Sequence, residues 1–403
     1  MRRLSIPLLA TAAVAAAGCG ASSGHRTPVA GDLVVVRTGN ALVALAPADK
    51  GLRRVLPSGQ LAPGARTRVY AAAAAGGSTR VTATDPATGA VVASRQLSGT
   101  WVLPATTAGG APDGLSPDGR AVVLQAVGGA GSRFAILDPN LSSPVHTVSL
   151  PKGFAYDTVA PDAGLLYLIQ ARRSAGAGHY SVRVYDLKGD QLQPGVVVAK
   201  SEDVETSMSG EPTARTATAD GTWVFTLYRN AAKGPFLHAL STGDGVALCT
   251  DLPRKARSSD AVARAWGLAL APSEETVYAV NPVLGLVVEI TPKSGEIQRI
   301  TRIPKTPAAG GGPSSPVVSR DGQWLYVPSR SGIVVIDTTT FVARAGRLLS
   351  GTPIRSLALS PDGRRLYATT STGTLIAISL ADGHVISRSS ARDAVAIAGV
   401  AKA

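Results

Sequence analysis

Apolar and polar residues alternate along most of this chain in short runs, and turns of one kind join the runs in pairs. The clearest pair is LSPDGRRLYATT at Leu359–Thr370. Variants of it are LSPDGRAVVLQA (Leu115–Ala126), VSRDGQWLYVPS (Val318–Ser329) and LAPSEETVYAVN (Leu270–Asn281). Further variants are APDAGLLYLIQA (Ala160–Ala171), TADGTWVFTLYR (Thr218–Arg229) and LAPGARTRVYAA (Leu61–Ala72). Each copy reads as a strand, a tight Pro/Asp/Gly turn and a second strand with a period of two. A second family of apolar runs follows each copy and closes on turns such as DPATG (Asp85–Gly89) and SLADG (Ser379–Gly383). In most copies a short fourth strand comes next.

The turn positions Pro63, Pro117, Pro161, Ala219, Pro272, Arg320 and Pro361 recur about every 50 residues. Four antiparallel strands at that spacing make one blade of an all-β propeller, since a single unit cannot bury its own apolar faces. At the ends the pattern is incomplete in a complementary way. Leu33–Arg37, Ala41–Ala46 and Leu52–Leu56 read as strands two to four of a blade without a first strand, and Ala394–Val400 is a lone apolar strand. Pairing the C-terminal strand beside Leu33–Arg37 would close the ring and remove two sheet edges. The expected architecture is seven to eight four-stranded blades, spanning residues 32–403 as one domain.

LYVPSRSGIVVIDTTTFVARAGRLLSG (Leu325–Gly351) and LSPDGRRLYATTSTGTLIAISLADGHVISRSS (Leu359–Ser390) resemble the YVTN-type propeller repeat, a WD40-like unit. That resemblance implies the fold and is nearly silent about activity, because such propellers serve as binding scaffolds, lactonases and dehydrogenase shells.

The N-terminus carries an address. Arg2 and Arg3 precede an apolar run, Leu4–Ala17, that ends at Ala16-Ala17-Gly18-Cys19. A basic start, a short apolar stretch and a small-residue site make a secretory signal over residues 1–18. The cysteine at that place resembles the lipobox of bacterial lipoproteins, which implies cleavage before Cys19 and lipidation of its sulfur. Residues 19–31 then read as a flexible tether. The expected location is the extracytoplasmic face of a bacterial membrane. Cys249 is the chain's other cysteine, so no disulfide is expected to hold the fold.

The formal net charge is +13, and it stays strongly positive without Arg2 and Arg3. Outside the cytoplasm such an excess points to anionic lipids or acidic envelope polymers rather than nucleic acid. Strand order places the Pro/Asp/Gly turns and the DPATG-like turns on one face, both short. The long connections fall on the other face: Pro104–Gly114, Val127–Ser132, Arg172–His179, Ala199–Thr216, Arg229–Pro235, Pro253–Arg264 and Arg302–Pro316. One-sided insertions in a repeat array mark a binding face. Glu202, Asp203, Glu205 and Glu211 crowd one of these loops, and Arg254, Lys255, Arg257 and Arg264 crowd the next interblade loop. The binding-face candidates are Arg172, Arg173, His179, Arg229, Arg254, Lys255, Arg257 and Arg330.

Catalytic motifs are missing. The five histidines show no metal-ligand spacing, and no nucleophile elbow, Walker loop or dinucleotide fingerprint occurs. Asp118, Asp321 and Asp362 in the first turns, and Asp85, Asp138, Asp186 and Asp337 after third strands, read as turn formers. Trp223 and Trp324 read as equivalent core positions on second strands. No catalytic, metal or cofactor site is assigned. The sequence reads as a non-enzymatic, membrane-tethered scaffold that binds a protein or anionic envelope polymer through its long-loop face. The alternative is a lactonase-like hydrolase with a site in the central channel.

Overall fold

Successive side chains of a strand point to opposite faces, so a strand apolar at every position needs cover on both sides. The second strand Leu165–Ala171 buries Leu166, Tyr167 and Leu168 in succession. In the computed structural model, which describes residues 31–47, 53–64, 66–172, 179–197, 208–253, 259–306 and 314–402, that cover comes from the neighbouring blade on each side. The fold is an all-β propeller of eight four-stranded antiparallel sheets. Blade 1 combines residues 32–56 with the C-terminal strand, and blades 2 to 8 span 60–98, 101–151, 154–192, 211–251, 267–302, 317–343 and 354–390. Blade 4 gains a short extra strand, Met208–Ser209, beside its third strand.

Within each blade the first strand lines the channel, the second and third fill the space between blades, and the fourth faces solvent. The fourth strands show it by their alternation. Val385–Ser390 is half-buried and exposed by turns, the signature of a sheet wetted on one side. Trp223 and Trp324 do open equivalent second strands, but both are half-buried. Trp223 stacks on Phe225, and the Arg344 guanidinium covers the Trp324 ring at 3.6 Å.

The turn aspartates do the expected local work. Asp85 accepts hydrogen bonds from the Ala87 and Thr88 amides, and Asp337 from those of Thr339 and Thr340. Asp138 and Asp186 repeat the pattern. In the first turns Asp118, Asp321 and Asp362 each accept from a serine two residues back (Ser116, Ser319, Ser360) and from the amide two residues on. These bonds hold Asp321 and Asp362 below the usual carboxylate range, the serine hydroxyl contributing most.

The ring closes through the C-terminal strand, Ala396–Lys402, which pairs antiparallel with Asp32–Arg37 from Lys402↔Asp32 to Ala396↔Arg37. A polar clasp crosses the same seam. Buried Asp32 accepts hydrogen bonds from Arg365 Nη1 (2.9 Å) and from the Tyr367 hydroxyl (2.6 Å) on blade 8. Tyr367 belongs to a recurring stitch, since the matching tyrosines of other blades also reach into the next one. Tyr70 donates to the Pro139 carbonyl at 2.7 Å and Tyr167 to the Thr242 carbonyl at 2.6 Å. Removing the Asp32 carboxylate strands the buried Tyr367 hydroxyl and frees a half-exposed Arg365 guanidinium. Asp32→Ala is expected to lower unfolding stability by about 1–3 kcal/mol, read as a shift in the urea midpoint at constant slope. An unmoved midpoint would show that the backbone ladder alone holds the seam.

Candidate functional site

Each first strand runs from the face of the long connections toward the short Asp turns, so the two faces are chemically distinct. Of the sequence candidates, Arg172 follows the strand Leu165–Ala171, and its amide donates to the His179 carbonyl at 2.8 Å. These two residues flank one hairpin mouth on the long-connection face. Arg229 ends the strand Trp223–Arg229 and is ion-paired with Glu211, which opens the first strand of blade 5. Glu211 is therefore a strand residue with a partner and no member of an acidic loop. Arg330 follows Trp324–Ser329 on blade 7 and is exposed. Cys19, Arg173, Arg254, Lys255 and Arg257 lie outside the described residues, as do Glu202, Asp203 and Glu205. Of the candidates described, His179 alone lines the pocket set out below.

One of the expected face loops is not on the face. Trp101–Val102 pairs with Ala126 and Gln125, and Leu115 bridges Val122, so Pro104–Gly114 leaves and rejoins the first strand of blade 3. Pro104 and Pro112 have no amide to give the ladder, which ejects the segment from it. The segment folds on itself through an Ala105–Pro112 bridge, and the Ala108 amide donates to the Pro212 carbonyl of blade 5 at 2.8 Å. The excursion thus reaches from blade 3 to blade 5 across the first strand of blade 4.

Beneath it lies a polar network contributed by four successive blades. Arg215 of blade 5 donates to Asp157 of blade 4 at 2.8 Å and lies 3.9 Å from Asp113 of the excursion. Asp113 also accepts from Gln60 of blade 2 at 3.2 Å and from Thr106, and the Gln60 carbonyl receives the Leu115 amide at 3.0 Å. Asp157 occupies a bulge, where Tyr156 pairs with Leu168 and Thr158 with Tyr167, and this turns its carboxylate toward blade 5. Asp157 is only 7% exposed. Burial opposes the Arg215 charge, but the Asp157 and Asp113 carboxylates more than offset it and hold the guanidinium firmly protonated. Two carboxylates against one guanidinium leave the network one negative charge in excess.

Two cavities of about 660 and 940 Å³ occupy the channel, and Asp157 lines the smaller. A third, about 560 Å³, opens on the long-connection side between blades 4 and 5, under Ala105 and Thr106 of the excursion. Phe154, Tyr156, Tyr180 and Tyr228 line it, with His179 and Asp157. Tyr180 stacks on Tyr228 at 5.8 Å, and Tyr228 stacks in turn on Phe236 at 5.1 Å. His238 packs edge-on to Tyr228. Sequence reasoning passed over Gln60, Asp113, Asp157 and Arg215. For Asp157 and Arg215 the one signal was a charged residue inside a first strand; Gln60 and Asp113 carried none. Among the described residues, no three His, Cys, Asp or Glu side chains come together in a metal-holding arrangement.

No protein-family model and no curated sequence matches this chain. Solved structures do. Apo AztD from Citrobacter koseri aligns at a TM-score of 0.56 and 11% identity, over 92% of this chain and 97% of that one. A second Citrobacter koseri AztD structure gives 0.57 and 12% over the same shares. Dihydro-heme d1 dehydrogenase NirN in complex with DHE gives 0.55 and 14%, over 93% of this chain and 75% of that one. At such identities the agreement is one of fold.

His238 offers a test of the packing behind the pocket. Burial lowers its pKa from 6.5 to about 4. The unfolded chain takes up that proton as pH falls through 6.5, whereas the folded chain does so only near 4. His238 therefore withdraws stability as pH falls across that window and has no such effect above it. Unfolding free energies measured from pH 7.5 to 4 are expected to fall less steeply in His238→Leu than in the parent. Parallel curves would show that the ring is solvated.

Proposed function

We propose that this chain is a lipid-tethered, extracytoplasmic propeller of the YVTN type that works as a binding protein. It captures a protein or an anionic envelope polymer through the long-connection face. The observation that carries this reading is the unequal length of the connections on the two faces. The opposite face is built from short turns whose aspartates are consumed by local hydrogen bonds. The interblade pocket opens on the long-connection side. The channel charges support binding over catalysis, because Asp157 and Asp113 share Arg215 instead of standing as an acid and a base.

The tether is tested by Cys19→Ala, expected to release the protein from membranes or leave an unprocessed precursor in fractionation. A variant that fractionates and migrates like the parent would remove the lipoprotein part of the reading. The face is tested by capture from membrane extract at low and high salt. Replacing Arg254, Lys255 and Arg257 together with Ser is expected to weaken capture several-fold at low salt, with melting temperature nearly unchanged. The control belongs on the short-turn face, and Arg120→Ser with Arg364→Ser serves. Arg365 is unsuitable there, since it is bound to Asp32 at the ring seam. Loss of capture in the control alone would reverse the choice of face.

A further inference from the structure

We propose that the pocket between blades 4 and 5 is a site for a small organic cation, a quaternary ammonium or protonated amine with apolar flanks. The inference rests on the long-connection face being the binding face, and it states the chemistry one part of that face accepts. Three features of the pocket lead there. Its volume, about 560 Å³, suits a small ligand or a polymer side group. Its wall is aromatic and apolar, and the π face of a Phe or Tyr ring attracts a desolvated cation. Among the described residues Asp157 is the only Asp, Glu, Lys or Arg that lines it, so their formal charge at the wall is negative.

A second, independent observation concerns an unused polar atom. Asp157 gives Oδ1 to Arg215, while among the described residues its Oδ2 accepts no hydrogen bond. A carboxylate oxygen that a mostly buried side chain presents to a cavity without a protein partner is left for a ligand or water to satisfy. The excess negative charge of the Asp113–Arg215–Asp157 network fixes the sign of what would do so. An anion would meet that charge with no basic side chain among the described residues of the wall. A neutral apolar ligand would desolvate the Oδ2 of Asp157 without giving it a partner.

Choline and its neutral isostere 3,3-dimethylbutan-1-ol separate these cases, because they share shape and differ in charge. Titration calorimetry on the full-length protein in detergent is expected to show choline binding at least about tenfold more tightly than the alcohol, a difference of about 1.4 kcal/mol. Asp157→Asn keeps the side-chain shape and is expected to cost choline about tenfold while leaving the alcohol within about twofold. Should that variant melt early through its effect on Arg215, Ala155→Phe provides the second reading. Ala155 is exposed on the pocket wall, and a phenyl ring there fills the space without touching the charge network. It is expected to abolish choline binding with the melting temperature unchanged. Equal affinity for choline and the alcohol, or full choline binding in a folded Asp157→Asn, overturns the proposal. So does the absence of choline binding to the parent. If choline fails while the Arg254/Lys255/Arg257 variant still loses its partner, the cation site falls and the binding face stands. If that variant also captures normally, the face falls with it.

Discussion

The antiparallel ladder between Ala396–Lys402 and Asp32–Arg37 is the contact on which the rest of the molecule depends. A propeller blade is apolar on both faces, and each face is covered only by the next blade around the ring. An open arc of eight blades would expose one face of its first blade, one of its last, and two strand edges. Joining residues nearly a whole chain length apart removes all of these at once. The loop-closure cost of doing so grows only slowly with chain length, so the distance in sequence is tolerated. The Asp32–Arg365–Tyr367 clasp then ties blade 8 to blade 1 by the side-chain device used between interior blades, with a carboxylate in place of a main-chain carbonyl.

Closure also decides what the channel contains. Eight first strands arranged about one axis leave more room than their side chains fill, and the Pro104–Gly114 excursion occupies part of it. The excursion brings Asp113 to Arg215, and the bulge at Asp157 brings the second carboxylate to the same guanidinium. Such a buried network is weak evidence for stability, because desolvation consumes most of the attraction between its members. It does specify how blades 2 to 5 sit relative to one another, since each member comes from a different blade. It also shapes the floor and roof of the interblade pocket, so that fold and candidate site share residues.

The electrostatics of the molecule are uneven in a useful way. The chain as a whole is strongly basic, which favours encounter with anionic surfaces and polymers. The pocket has the opposite sign, with Asp157 the one Asp, Glu, Lys or Arg among its described lining residues. A basic exterior and an acidic recess on one molecule suit partners that carry both signs of charge, with the long-range field governing approach and the recess governing selectivity.

Much of this was legible in the residues themselves. Period-two alternation and the Pro/Asp/Gly turns are local signals, so they specified four-stranded blades, the two faces, and the turn roles of Asp118, Asp321, Asp362, Asp85, Asp138, Asp186 and Asp337. The incomplete repeats at the two ends specified the closing strand beside Leu33–Arg37, because a missing first strand and a spare one can be counted. The choice of eight blades over seven needed the structure, which gives residues 32–56 a full sheet only after Ala396–Lys402 joins it. The path of Pro104–Gly114 was not legible, since two prolines announce a departure from the ladder without saying whether the chain turns outward or into the channel. Nor was the joining of Gln60 to Asp113, 53 residues apart, or of Asp157 to Arg215, 58 apart. Which first-strand side chains meet is set by the angle between blades, the bulges and the span of the excursion. Those are properties of the closed ring, and no run of neighbouring residues encodes them.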